Sequence, residues 1–411
     1  MGIRLNWEIE AEKERVETAG EDPETRRRRW RARLRLLGLL LLFVGLVGLV
    51  VGGVILRLRQ VDWEIEQALR DTVDAEIATL RLGDRAAFLT FQRSATDEWS
   101  QRQNGAFEDY QELKLQADVE LSGEISSVLV DRQRARVQVQ EVIDGARYVQ
   151  TWFYWNYDDG WRHVPPDYTF WGEERTLSSD NVTVYYRALD EPFAQVLLTE
   201  LTLWVTGGCS ALGCGQMPHL TVEVVPNPTL GWIEDWHLRV PSPYIGRARI
   251  DQPLEATVRF QAAALIARSL VDGIVGDVLT GEGGFLQEAV VRWLVERFAL
   301  VQMNSHVIYS LAARYGDAAV GQLVTQLTPD STAAVLASVT GTSLEQSGLD
   351  WRDYIAWRLT DVYSGQDYDV TSALVEYSPE GIPQIQAVVR IGGDEMIVLF
   401  QLVDGVWERV T

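Results

Sequence analysis

Arg259-Phe-Gln-Ala-Ala-Ala-Leu-Ile-Ala-Arg268 and Phe285-Leu-Gln-Glu-Ala-Val-Val-Arg-Trp293 are the two stretches on which the fold turns. Each carries apolar residues at three- and four-residue intervals, the spacing of a helix with one face in a core. They sit within longer helical patterns, Val258–Leu279 and Phe285–Phe298, separated by Thr280-Gly-Glu-Gly-Gly284. The first stretch holds neither histidine nor glutamate, and Glu288 is the lone carboxylate of the second.

The surrounding chain has 411 residues, enough for two or three domains. Apolar residues make up 46% and fifteen are Trp, which is ample for packed cores. Acidic residues outnumber basic ones, 59 to 37, for a formal net charge of −22. That field repels phosphate backbones, so nucleic acid is not an expected partner.

Charge is concentrated near the N-terminus. Residues 24–35 hold seven arginines, and Leu36–Leu56 follows with twenty-one residues and no charge. At about 1.5 Å per residue this run matches a hydrocarbon core of ~30 Å. A buried core helix of that length rarely lacks a polar face, so the expectation is a transmembrane helix over 36–58 and a lipid-bilayer partner. A cleaved signal peptide would have a shorter apolar run and a small-x-small site; Gly52-Gly53-Val-Ile-Leu-Arg-Leu-Arg59 follows instead. The positive-inside rule then puts the basic tail, 1–35, in the cytoplasm of a bacterial-type membrane, near anionic headgroups, and the rest outside. Gly48 and Gly52 form a G-x-x-x-G pair, which offers a weak homodimer contact.

The only cysteines are Cys209 and Cys214, in a Gly-rich C-x-x-x-x-C segment. Outside the membrane a local disulfide pinning a loop is expected. His219 lies near, but zinc would need more ligands, and a Cys-His nucleophile would need a placed base.

Beyond the span the pattern falls into three blocks. Residues 61–113 read as helical, with a break at Gly83-Asp84; from about 117 the period becomes two. Ala117–Val130, Ala135–Ile143 and Tyr148–Tyr157 alternate, with turns at Asp144-Gly145 and Asp159-Gly160, closing on Gly160-Trp161-Arg-His-Val164. The C-terminus repeats the strand half: Thr371–Tyr377, Pro383–Ile391 and Glu395–Leu402, joined at Pro379-Glu-Gly381 and Gly392-Gly393-Asp394 and ending in Asp404-Gly-Val-Trp407-Glu-Arg-Val410. Both units resemble the nuclear transport factor 2-like superfamily, whose cone-shaped α+β fold wraps a curved sheet around a pocket. The resemblance covers 59–168 and, as a partial repeat, 350–411.

The middle block, 180–349, runs strand (Asn181–Arg187), helix (Glu191–Trp204), two extended segments (Leu220–Pro226 and His237–Pro243), then the paired helices. Tyr309–Gly316, Gly341-Thr-Ser-Leu344 and Trp351-Arg-Asp-Tyr354 follow. This order resembles a thermolysin-like domain of the peptidase MA-like gluzincins, whose W-L-x-E-G-x-A segment is similar to Phe285-Leu-Gln-Glu-Ala-Val-Val291. The fold class implied is a multidomain α+β chain with one N-terminal transmembrane helix, the thermolysin-like domain standing between cone-shaped modules. Gluzincins hold zinc with H-E-x-x-H on the first helix and a glutamate on the second. In the best register Gln261 stands at the first histidine, Ala262 at the general base and Leu265 at the second histidine. Glu288 alone keeps its ligand position, and no histidine occurs in residues 238–305.

The resemblance therefore implies a catalytically inactive pseudopeptidase with no cofactor, binding a peptide or protein along an edge strand near His237–Val240. The alternative is an enzyme or small-ligand site in a flanking cone-shaped module, with Asp97, Glu98 and Asp118 as acids to test. A plainer reading makes 262–267 a close-packed core helix and Glu288 a carboxylate favoured by the helix dipole. His163, His219, His237 and His306 lack ligand spacing, and Asp272, Asp277 and Glu282 read as a solvated face.

Overall fold

The computed structural model describes residues 23–276, 278–363, 369–377, 383–391, 394–403 and 406–410. Helix accounts for 53% and strand for 24%, so the chain is mixed α/β. It divides into two compact units, Met1–Ala75 and Glu76–Thr411.

The first unit is dominated by helix α1, Pro23–Leu82, which continues past Ala75 to end in the second unit. The sequence pattern predicts separate helices before and after residue 60; one unbroken helix is found instead. The lack of helix breakers explains this. From Arg57 to Leu82 there is neither Gly nor Pro, and the Gln60–Glu64 and Glu66–Arg70 pairs, one turn apart, support the solvated stretch. The apolar run 36–56 is exposed and is long and apolar enough to cross a membrane. Gly48 and Gly52 have no neighbouring atom within 4 Å of where a Cβ would stand.

The second unit begins with the last turns of α1, then α2 (Arg85–Phe91), capped by the Asp84 side chain, and α3 (Asp97–Gln116). Strands β1 (Val119–Glu120), β2 (Ile125–Asp131), β3 (Arg134–Ile143), β4 (Ala146–Tyr157) and β5 (Gly160–Val164) follow. The single strand expected over 117–130 is split, because the chain turns at Gly123 with φ +76°. β3 and β4 pair antiparallel across ten residues and turn at Asp144-Gly145, both with positive φ as a tight hairpin demands. β1 and β2 share one flank of β3, and β5 lies on β4.

Next come β6 (Glu174–Ser178), β7 (Val182–Arg187), α4 (Glu191–Leu212), β8 (Leu220–Val225), β9 (Gly231–Glu234), β10 (His237–Pro241) and β11 (Arg247–Arg249). Strands β6 to β10 form a second sheet in the order β6-β7-β8-β10-β9. β7, β8 and β10 are parallel, the long helix α4 supplying the β7-to-β8 crossover. The expected edge strand at His237–Val240 is corrected here: β10 is interior, and the antiparallel edge is Gly231–Glu234. The intervening Asp235-Trp236, with Trp236 at φ +56°, folds that short segment back outside β10. β11 departs from the block reading too, since it leaves the middle block and pairs with β4 of the first sheet.

Helices α5 (Ala256–Val275) and α6 (Gly281–Ala299) pack against each other. The α5 face formed by Ala262, Ala263, Ile266, Ala267, Leu270 and Val271 is buried. α4 runs eight residues beyond its expected end at Trp204, through Gly207-Gly208, to a left-handed cap at Gly213. Those glycines are tolerated because packing uses one of them: a Cβ on Gly208 would lie 2.6 Å from Leu270 Cδ1 and 3.0 Å from Phe298 Cζ. Helices α7 (His306–Tyr315), α8 (Asp317–Gln326) and α9 (Val335–Thr340) complete the layer. Gly321 of α8 lies so close to α4 that its Cβ would be 2.6 Å from the Leu212 carbonyl oxygen.

Helix α10 (Arg352–Tyr363) leads into an antiparallel meander of β12 (Asp369–Tyr377), β13 (Pro383–Ile391), β14 (Asp394–Val403) and β15 (Val406–Val410). Its own small core joins Val375, Ile385, Ala387, Val389, Val398 and Phe400 to Ile355 and Ala356 of α10. The turns expected at 379–381, 392–393 and 404–405, like residues 1–22 of the basic tail, lie outside the described residues.

Candidate functional site

On the paired helices, Gln261 is exposed on α5, Ala262 is fully buried and Leu265 is partly buried against the core. Glu288 of α6 is ion-paired with Arg268 of α5, both side chains nearly half exposed. Gln261, Leu265 and Arg268 follow one another at four- and three-residue steps and so share a helix face. The carboxylate thus meets a guanidinium at the end of that face. Among the described residues no group of three or more His, Cys, Asp or Glu is arranged to hold a metal ion.

The other polar candidates are not brought together. Asp272, raised by burial, accepts from Gln287 Nε2 at 3.0 Å, while Glu282 accepts the Ala333 N–H at 2.7 Å. Asp277 lies outside the described residues. His219 bonds Thr183 Oγ1 at 3.0 Å, His237 lies 3.5 Å from Glu234, and His306 is held down by burial and then by Arg352. Cys209 and Cys214 are disulfide-bonded, with Cα atoms 4.9 Å apart. Cys209 is on the last turn of α4 rather than in a loop, and the bridge closes over the left-handed Gly213.

A different constellation occupies the first sheet and the helices over it. Glu76, fully buried, accepts hydrogen bonds from Tyr154 Oη at 2.8 Å and Gln92 Nε2 at 2.7 Å. His163 Nδ1 lies 2.7 Å from the same carboxylate. The imidazole is stacked on Trp152 and Tyr154, with the edge of Trp99 against it. Burial, then the negative charge of Glu76, drives the Tyr154 phenol well above its ordinary range, so it remains a donor.

Beside this cluster is a cavity of about 340 Å³, lined by His163, Glu76 and aromatic walls that include Phe88, Trp99, Trp152 and Phe153. Glu141, 1% exposed, also lines it. Its Oε1 takes Gln150 Nε2 at 2.8 Å and the guanidinium of Arg247, whereas Oε2 is buried without a partner. Trp99 Nε1 is likewise buried and unpartnered. Arg102, Ala106 and Asp109, all exposed on α3, form the rim. Asp97, Glu98 and Asp118, the acids expected for this module, are exposed and do not line the cavity; Glu98 pairs with Arg102 instead.

Sequence reading missed Glu76 and Glu141, yet a signal existed. Leu69, Val73, Glu76 and Leu80 recur at helical spacing, and Val137, Val139 and Glu141 alternate along one strand face. In each series a carboxylate stands where the pattern calls for an apolar residue.

No protein-family model, curated protein or solved structure matches the chain.

Proposed function

We propose that this chain is a single-pass, membrane-anchored pseudopeptidase that binds an extended peptide or protein segment without cleaving it. The observation that carries the reading is the Arg268–Glu288 pair: a fixed cation engages the carboxylate at the one retained ligand position. A metal would have to displace that guanidinium while finding no imidazole at positions 261 and 265. The groove side is supplied by α5 and the edge strand Gly231–Glu234, which are in contact. The outer edge of that strand pairs with no other described strand, so its main-chain groups suit β-augmentation by an extended chain. In this reading the arginine-rich flank of Leu36–Leu56 stays in the cytoplasm and residues after about 58 work outside. Pairing of anchors through Gly48 and Gly52 would be a weak accessory contact.

The test uses the full chain in detergent and an unfolded, carboxymethylated lactalbumin as probe. The expected result is retention without cleavage, less than stoichiometric zinc, and slower hydrogen exchange at Gly231–Glu234 in the complex. One equivalent of bound zinc accompanied by cleavage would sink the reading, as would retention that leaves the Gly231–Glu234 amides unprotected.

A further inference from the structure

Arg292 of α6 stands apart from the other arginines. Among the described residues of the second unit it is the one arginine that is not exposed and has neither an ion pair nor a hydrogen bond. Its described contact is the ring of Phe285, whose centroid lies 5.9 Å from Cζ. A half-buried guanidinium gives up hydration, which a carboxylate or carbonyl normally replaces. Here the fold supplies neither.

The residue lines a cavity of about 330 Å³ between α6, the start of α7, α10 and β12, so the middle block and the C-terminal module build it together. Nε of Arg292 is enclosed, but the two terminal nitrogens are not sealed off and form the open part of the fork. Phe285, Ala356, Trp357 and Leu374 make the wall beside it largely apolar. This is the make-up of a small-molecule site: an apolar concavity with one placed polar group.

The other charges narrow the class. Arg352 is already held by both oxygens of Asp350. His306, lowered by burial and then by Arg352, adds no charge at pH 7. Asp353 turns Oδ1 to the N–H groups of Val307 and Tyr354, both at 3.1 Å, and its Oδ2 is enclosed, so neither oxygen serves Arg292. Its negative charge is still felt at Arg292, and a dianion entering beside it would be repelled. A single planar carboxylate matches the fork, taking two parallel N–H bonds.

We propose that this cavity binds the carboxylate of a small organic monoacid, its oxygens on the terminal nitrogens of Arg292 and its aromatic or alkyl body against Phe285 and Trp357. A free acid and the C-terminus of a peptide share this chemistry.

Saturation-transfer NMR on the full chain in non-ionic micelles, with 3-phenylpropionate as the probe, tests this. The matching amide, ammonium and phosphate monoester serve as neutral, cationic and dianionic comparisons. The carboxylate is expected to bind saturably and more tightly than all three. Arg292→Met keeps the apolar stem and breaks no ion pair, and should weaken binding about tenfold or more. His306→Asp sets a carboxylate at the first position of α7, where the helix dipole favours an acid, and should also weaken it. An acetylated tripeptide ending in phenylalanine separates the sources: binding as tight as the probe's marks a chain terminus, and its exclusion marks a free acid. The proposal is overturned if the probe gives no more signal than empty micelles or if a comparison compound binds as tightly. It is equally overturned if either variant, shown by circular dichroism to be folded, binds as the parent does. None of these outcomes bears on the Gly231–Glu234 edge.

Discussion

The phenol of Tyr154 donates to Glu76 across 2.8 Å with both side chains almost wholly enclosed, joining the centre of a strand to the end of the long helix. Leaving a carboxylate oxygen without its donor in such surroundings is costly. Tyr154→Phe removes the phenol that donates to Oε2 and is expected to destabilise the second unit by about 1–3 kcal/mol. Chemical denaturation followed by Trp fluorescence measures it; a change below about 0.5 kcal/mol would show that Oε2 does not depend on this donor.

Stability should also depend on pH through Asp190. Burial pushes its carboxyl from 3.8 up to about 6, against Ser242, Trp171 and Arg136, which favour the charged form. The folded state therefore holds the proton more tightly than the unfolded chain. This contribution is fully present below about pH 4 and is lost as pH rises through about 6, amounting to about 3 kcal/mol. Asp353, also raised by burial to about 6, acts in the same direction. Asp190→Asn should flatten the decline in melting temperature between pH 4 and 7, roughly halving it. An unaltered slope would mean that Asp190 does not carry the proton.

Two glycines in helices should respond oppositely to alanine. At Gly321 a methyl would press on the Leu212 carbonyl of α4, a backbone atom that cannot swing aside, and the expected cost is about 1–3 kcal/mol. At Gly105 of α3 nothing lies within 4 Å, so alanine should stabilise by about 0.5–1 kcal/mol. Melting temperatures of the two variants decide this; shifts of the same sign would contradict the close approach of α8 to α4.

Opening the Cys209–Cys214 bridge should cost little for a disulfide, because it closes a short loop. Chain-entropy arguments give about 2 kcal/mol for a loop of this size. Cys214→Ser tests it by urea denaturation, with the reduced parent chain as control. A loss well above about 4 kcal/mol would imply that the bridge also holds the packing of α4 against α8.

The legible parts of this chain are those dictated by local pattern. The charge-free run from Leu36, the Asp144-Gly145 hairpin and the α5 and α6 helices follow from periodicity and turn chemistry. What stayed hidden depends on tertiary partners. Whether His237 or Gly231 lies at the sheet edge is decided by where Trp236 reverses the chain, and the residues from Gly231 to Trp236 carry no mark of it. Arg247–Arg249 is too short to announce that it will leave its neighbours and pair with Tyr148–Gln150. The cavity residues were obscured for another reason: Glu76 and Glu141 stand out only once the apolar residues at their own spacing are seen to be buried.

The enclosure of Ala262 carries a consequence for protein engineering. Position 261 faces solvent, so an imidazole could be written there at modest cost, whereas at 265 it would replace a leucine packed against the core. A glutamate at 262 would enter the core beside Ala263 and Ile266 as an unpaired charge, a penalty comparable to the whole stability of a domain. Three substitutions therefore do not make this helix a hydrolase. The obstacle to building such chemistry lies on the inside of α5, and removing it would require turning the helix about its own axis and rebuilding everything packed beneath.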